Sequence, residues 1–319
     1  MKMKMILLDG YTTNPGDLSW SPLEKLGELT VYDWTEQEDV VNRLQGAQVA
    51  FTNKVRLTAE HMDALKELKY IGIIATGMDC VDLEAAKERG IVVTNVAVYA
   101  NFSVAQLTFA LILELCYRID LHNRSIVEDL YWSKQPYNSY WLKPLVGLEN
   151  KTLGIIGMGK IGERVAAIGT AFGMKVLAYD VYQRELPNVT WVELEELLRN
   201  SDVVSTHCPL FDSTRGIINK DSLSLMKPTA FFINTSRGPL MVDQDVADAL
   251  NNGVIAGAGL DVLNGEPPSL DNPLLSAKNI ILTPHIGWAT VDARTRLVSE
   301  VANNLESYQN GDPKNVVNP

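Results

Sequence analysis

Three residues of different chemistry each stand just beyond an apolar run in the second half of the chain. They are Arg237 in NTSRG (234–238), Glu266 in LDVLNGEPP (260–268) and His285 in TPHIGWAT (283–290). A guanidinium grips a carboxylate through two parallel hydrogen bonds. An imidazole carries protons near neutral pH, and a carboxylate beside it favours the charged imidazolium. Together the three suit the interconversion of a 2-hydroxy acid and its 2-keto acid: a hydride leaves or joins the carbon, an acid/base handles the hydroxyl proton, and a cation anchors the carboxylate. Taken singly, Arg237 has a plainer reading as an ion-pairing arginine and His285 as a turn histidine. His207 also follows an apolar strand, whereas His61 and His122 lie among polar residues on expected helices and read as solvated.

A hydride needs a donor or acceptor, and LGIIGMGKIG (153–162) offers a place for one. The run is an apolar strand, a GxGxxG turn and the opening of a helix. Gly157 allows the tight turn, Gly159 lets backbone approach a pyrophosphate, and Gly162 lets the helix pack close to the strand. The helix N-terminus then faces the phosphates. Asp180 ends the next strand, where a carboxylate accepts from ribose hydroxyls and repels a 2′-phosphate, so NAD is favoured over NADP.

The elements that must position these residues show as short apolar runs alternating with amphipathic stretches, the pattern of βαβ units in an α/β protein with parallel sheets. Strands are predicted over 5–8, 29–32, 48–51, 70–74 and 91–94, with helices over 58–68 and 83–89, the latter ended by Gly90. A very apolar helix over 103–119 is expected to be buried and to cross between domains. After an aromatic loop at 132–144, strands follow over 152–156, 175–179, 202–205, 230–233, 254–260 and 279–282. The helical tail over 289–309 exceeds what that sheet needs and is expected to return to the first domain. The expected division is therefore 1–100 plus 290–319 for one domain and 101–289 for the other.

Composition narrows the classes further. The 319 residues are enough for about two domains at ~150 residues each. With 46% hydrophobic and 21% charged residues, the chain is not disordered. Acidic residues outnumber basic ones 39 to 28, and the net charge of −11 opposes nucleic acid as a partner. No apolar run approaches the ~20 residues of a membrane helix. Cys80, Cys116 and Cys208 lie too far apart for a zinc site or a disulfide framework, so no metal is expected and a reducing cytoplasm fits best.

Read in order, AxGxDxVD (75–82), SVAQ (103–106), LGIIGMGKIG, HCPL (207–210), NTSRG, LDVLNGEPP and TPHIGWAT resemble the D-isomer-specific 2-hydroxyacid dehydrogenase family over nearly the whole chain. Thr52-Asn53-Lys54, the stretch 94–114 and His285-Ile286-Gly287-Trp288 are most similar to its glycerate dehydrogenases, also called hydroxypyruvate reductases. The resemblance implies two Rossmann-like domains, an NAD-binding one inserted into a discontinuous substrate domain, and reduction of hydroxypyruvate or glyoxylate. It implies that Arg237 binds the substrate carboxylate and polarises the carbonyl, that His285 is the acid/base, and that Glu266 hydrogen-bonds His285. Lys160 and Ile161 follow the pyrophosphate turn, and Cys208 and Pro209 line the cofactor cleft. Thr235, Ser236 and Arg237 contact the nicotinamide side, Asp261 meets the carboxamide, and His285 and Gly287 also belong to the cofactor site. The backbone around Thr76 and Gly77 holds the substrate carboxylate. Lys54 is either a donor to a second polar group of the substrate or a solvated lysine at a strand end. Neither the family nor a flanking base supports Cys208 as a nucleophile. The buried helix and the loop after it resemble the family's dimer-forming region, which implies a homodimer. D-lactate-type and short phosphoglycerate enzymes share the catalytic trio, and an NAD-sensing corepressor-like protein is the alternative outside catalysis. Formate dehydrogenase is disfavoured, because position 266 is a carboxylate rather than an amide.

Overall fold

Parallel strands covered on both faces are apolar at every position rather than at alternate ones. VAFT and YIGI, at Val49–Thr52 and Tyr70–Ile73, are buried throughout. The computed structural model describes residues 2–319. Its first compact unit comprises the residues up to Ala100 together with Trp288–Pro319. Here β1 (Lys4–Leu7), β2 (Glu28–Val31), β3 (Val49–Thr52), β4 (Tyr70–Ile73) and β5 (Val92–Thr94) form a parallel sheet in the order β2-β1-β3-β4-β5. The order reverses between β1 and β3, and open α/β sheets bind ligands beyond the strand ends at such a switch point.

The helix Val291–Gln309 belongs to this unit, capped by the Thr290 hydroxyl, which accepts from Ala293 N–H at 3.4 Å. It packs on β4, with the Tyr308 ring 4.8 Å from that of Tyr70. The last residues then close the β5 edge: Val317 N–H donates to Val93 O, and Val93 N–H to Asn318 Oδ1, both at 2.9 Å. The two places where the chain leaves and re-enters the unit lie side by side, the rings of Tyr99 and Trp288 being 6.5 Å apart.

The second unit is Asn101–Gly287, so Trp288 and Ala289 fall in the first. Its parallel sheet contains β6 (Thr152–Ile156), β7 (Lys175–Tyr179), β8 (Val189–Trp191), β9 (Val203–Thr206), β10 (Phe231–Asn234), β11 (Gly257–Leu260) and β12 (Ile280–Leu282). They run in the order β12-β11-β10-β9-β6-β7-β8, reversing between β6 and β9. The edge strand β8 is absent from the sequence reading, because its three residues, VTW, are too few to show a period.

The apolar helix Asn101–Tyr117 packs on the helix Lys160–Ala171 and on β10 and β11, all within the second unit. The single helix expected over 103–119 is broken at Arg118, whose backbone is left-handed (φ 51°), and Ile119–Val127 continues as a separate helix bent by 59°. Among the described residues, no single helix is long and apolar enough to cross a membrane.

Candidate active site

The glycine turn lies at the carboxyl end of β6, at the second unit's switch point. Gly157 has φ 96°, and a Cβ there would sit 2.3 Å from Cys208 N, so only glycine lets the loop after β9 cross over the turn. A Cβ on Gly162 would lie 2.3 Å from Gly157 O, which fixes how closely the helix approaches the strand. At Gly159 a Cβ would meet nothing within 4 Å. That open space, at the N-terminus of a 12-residue helix begun by Lys160 and Ile161, fits a pyrophosphate. Asp180 follows β7 and takes part in the turn: Oδ2 accepts from Met158 N–H at 2.7 Å and Oδ1 from Tyr182 N–H at 2.9 Å. A carboxylate has about four lone-pair sites, so acceptor capacity is left for ribose hydroxyls.

Arg237, Glu266 and His285 stand on the loops after β10, β11 and β12, three adjacent strands whose ends are in register at Asn234, Leu260 and Leu282. Asn234 shapes the first loop, donating from Nδ2 to Arg237 O at 2.9 Å while its Oδ1 accepts from Ser236 N–H at 3.0 Å. Ser236 ties that loop to the glycine turn's neighbour, its hydroxyl donating to Cys208 O at 2.8 Å. Thr235 meets the hydroxyl of Thr108 at 3.0 Å, and the Arg237 guanidinium, half-buried, donates to Ser236 O at 2.8 Å. A Cβ on Gly238 would lie 2.0 Å from Leu263 O, so the first and second loops touch backbone to backbone.

The structure sets Glu266 against His285, Oε2 to Nδ1, at 2.5 Å. His285 itself is left-handed (φ 54°), an uncommon and costly backbone for a residue with a side chain. Asp261, at the end of β11 and 1% exposed, accounts for its persistence. Oδ1 accepts from the Thr283 hydroxyl at 2.5 Å and from Ile286 N–H at 2.9 Å, Oδ2 accepts from Gly287 N–H at 2.8 Å, and its carbonyl accepts from His285 N–H at 2.8 Å. Burial pushes the Asp261 carboxyl above its usual value, against the pull of these donors. Asp261 therefore directs both oxygens to the histidine loop, a role its sequence position does not show. The Ser103 hydroxyl, from SVAQ, donates to Gly287 O and closes the loop's far end.

His207 and Cys208 contribute differently. The His207 ring meets Ser205 Oγ through Nε2 at 2.8 Å, its Nδ1 is buried without a partner among the described residues, and burial drives its pKa down to about 3, so it is neutral. Burial, with Asp180 adding to it, raises the Cys208 thiol to about 11, which leaves little thiolate for a nucleophile. His122 is not merely solvated: Nε2 accepts from Leu142 N–H at 3.0 Å and holds the aromatic loop.

In the first unit, Asn53 and Lys54 follow β3 at the switch point, and Thr76 and Gly77 follow β4. Sequence reasoning missed what shapes the first of these loops. Asp9, fully buried after β1, accepts from the N–H groups of Asn53 (2.9 Å), Lys54 (2.6 Å) and Val55 (3.0 Å), and burial pushes its carboxyl up. The available signal was an acid directly following a buried apolar strand. The Lys54 side chain is exposed, and the Thr76 hydroxyl donates to Val96 O at 2.8 Å.

A dinucleotide cradle at one switch point, with an imidazole–carboxylate pair on the same sheet, is the arrangement of a nicotinamide-dependent dehydrogenase. Residues 109–287 match the family model for the D-isomer specific 2-hydroxyacid dehydrogenase NAD binding domain. The chain is 47% identical to a hydroxypyruvate reductase of Blautia hydrogenotrophica, over 99% of this chain and 100% of that one. It is 40% identical to a glycerate dehydrogenase of Methylorubrum extorquens, over 89% of each. Among solved structures, a D-lactate dehydrogenase from Aquifex aeolicus complexed with NAD and lactic acid superposes with a TM-score of 0.85, at 31% identity and covering 99% of each chain. The protein belongs to the D-isomer-specific 2-hydroxyacid dehydrogenase family, and its second unit is the NAD-binding domain.

Proposed function

We propose that the protein reduces hydroxypyruvate, together with glyoxylate, to D-glycerate and glycolate with NADH, reversibly. The observation that carries this reading is the His285–Glu266 contact on a loop fixed by Asp261, in the same domain as the glycine turn. The hydroxypyruvate reductase and glycerate dehydrogenase relatives support the choice of substrate.

In the reducing direction Arg237 holds the substrate carboxylate, and its charge polarises the neighbouring carbonyl. His285 gives a proton from Nε2 to the carbonyl oxygen as that oxygen becomes a hydroxyl. Glu266, accepting at Nδ1, fixes the ring and stabilises its positive charge, and in the oxidising direction the same ring takes the proton back. The nicotinamide cofactor, when bound, supplies the hydride. Gly157, Gly159, Lys160, Ile161 and Gly162 hold its pyrophosphate, and Asp180 its adenosine ribose. Cys208, Pro209, Thr235, Ser236 and Gly287 border the rest. In the first unit we assign Lys54, Thr76 and Gly77 to substrate binding, from their place at that sheet's strand ends.

We also infer a homodimer. Tyr117, Ile119, Val127, Trp132 and Trp141 expose 45–67% of their surface within one stretch of chain, an apolar concentration that a second copy would cover. Three unpaired cysteines support a cytoplasmic location.

The test is a panel of keto acids assayed with NADH. Hydroxypyruvate should exceed pyruvate by about 10²-fold in kcat/KM, because a pocket built for its terminal hydroxyl leaves a polar group unpaired with pyruvate. Lys54→Met should erode that preference more than it erodes glyoxylate reduction. Pyruvate turning over as well as hydroxypyruvate would overturn the substrate assignment.

A further inference from the structure

The loop after β7 carries one cation, Arg184, four positions beyond Asp180. An arginine in this part of a dinucleotide-binding fold is the group that accommodates a 2′-phosphate, and guanidinium–phosphate pairing is strong and bidentate. Its presence next to an Asp180 that should repel that phosphate is a contradiction in the sequence.

The structure resolves it through Glu163 on the first turns of the helix Lys160–Ala171. The Glu163 carboxylate pairs with Arg184 Nη2, and the same nitrogen lies 3.4 Å from Met158 O. Met158 is the residue between the first two glycines of the turn, and its N–H is the one that Asp180 accepts. The two backbone groups of one residue are thus held, its N–H by Asp180 and its carbonyl by Arg184, and Glu163 occupies the arginine's charge. Arg184 is also half exposed, with 51% of its side chain in solvent, so the charge would be accessible if the carboxylate were removed.

We propose that Glu163 is a cofactor-specificity residue: it sequesters Arg184 on the glycine turn and so withholds from a 2′-phosphate the one cation of the 180–184 loop. The inference rests on the NAD-dependent reading above and deepens it. Two carboxylates then divide the work. Asp180 disfavours the 2′-phosphate directly, and Glu163 denies it a partner. A merely structural role for Glu163, favourable at a helix N-terminus whatever Arg184 does, makes a different expectation.

Binding of NAD+ and of NADP+ to the full chain, measured by calorimetry without substrate, separates the two. The wild type should bind NAD+ more tightly than NADP+ by about 10-fold or more. Glu163→Gln should narrow that ratio at least about 5-fold, through tighter NADP+ rather than weaker NAD+. In an Arg184→Gln background the same substitution should narrow it by less than about 2-fold, because there is no cation to release. An unchanged ratio in Glu163→Gln, or an equal narrowing in Glu163→Gln/Arg184→Gln, overturns the proposal. A wild type that binds neither nucleotide overturns the NAD-dependent reading on which it rests.

Discussion

Replacing Asp261 with asparagine tests whether the carboxylate holds the histidine loop. The change keeps shape and removes one acceptor. The amide oxygen can still accept from Thr283 and Ile286, as Oδ1 does now at 2.5 and 2.9 Å, but an NH2 group then faces Gly287 N–H, which Oδ2 now accepts at 2.8 Å. A hydrogen bond to a charged acceptor contributes about 1.5–3 kcal/mol, and an orphaned buried N–H costs about 1–3. Relief from burying a charge offsets part of this, leaving about 2 kcal/mol. A left-handed non-glycine residue costs about 1–2 kcal/mol to maintain, so His285, at φ 54°, has reason to relax once the clamp is weakened. A 2 kcal/mol change is roughly 30-fold in the population of the held loop. Asp261→Asn should therefore lower kcat about 10- to 30-fold. Amide hydrogen exchange at Gly287 should speed up by a similar factor, while the Gly157–Gly162 turn keeps its protection. Gly287 exchange at the wild-type rate, with kcat within two-fold, would refute the clamp.

His285→Ala should lose about 10²- to 10⁴-fold in kcat with NADH affinity nearly kept, checked by turnover alongside fluorescence titration. Glu266→Gln removes the carboxylate that sits 2.5 Å from the imidazole, so kcat for keto-acid reduction should fall roughly 10-fold or more with NADH affinity nearly kept; turnover at the wild-type rate removes Glu266 from that role. Asp9 offers a stability test. Its carboxyl is raised in the folded protein by burial, so the folded state holds the proton where the unfolded state has lost it, and this group's contribution falls as pH rises from about 3.9 through the raised value. Asp9→Asn should flatten that part of the urea-midpoint profile, and a profile parallel to wild type would show that Asp9 does not titrate there.

The class of fold is legible because parallel sheets demand apolar runs of a certain length, and such runs are visible without knowing their neighbours. β6 with its glycine turn is the clearest case, since each glycine answers a local demand that nothing else meets. Arg237, Glu266 and His285 stand out for a related reason, as chemistry-bearing residues directly after apolar runs. The roles of Asp261 and Asp9 are not legible in the same way. Their partners are backbone N–H groups, which every residue carries, so only the folded path of the chain shows which carboxylate they find. The break at Arg118 escaped because a helix can end in a left-handed residue without glycine, and 117–119 keeps the apolar pattern across it. The Arg184–Glu163 pair joins a loop to a helix that precedes it by a full strand, a distance over which sequence spacing carries no signal.

The adjacency of Tyr99 and Trp288 bears on how the chain comes to be folded at all. The residues up to Ala100 cannot complete their unit alone, since the edge of β5 and the face of β4 are covered by segments that follow Trp288. Emerging from a ribosome, they wait while 101–287 is made, and that segment has its own sheet and core and can settle first. Once settled, it is no longer a long floppy loop whose ends must find each other by diffusion. It becomes a rigid staple that leaves little chain to be closed before the tail reaches β5, so most of the entropy of that closure has already been met by the inserted domain's own folding. The NAD-binding domain is in this sense also the folding template of its host.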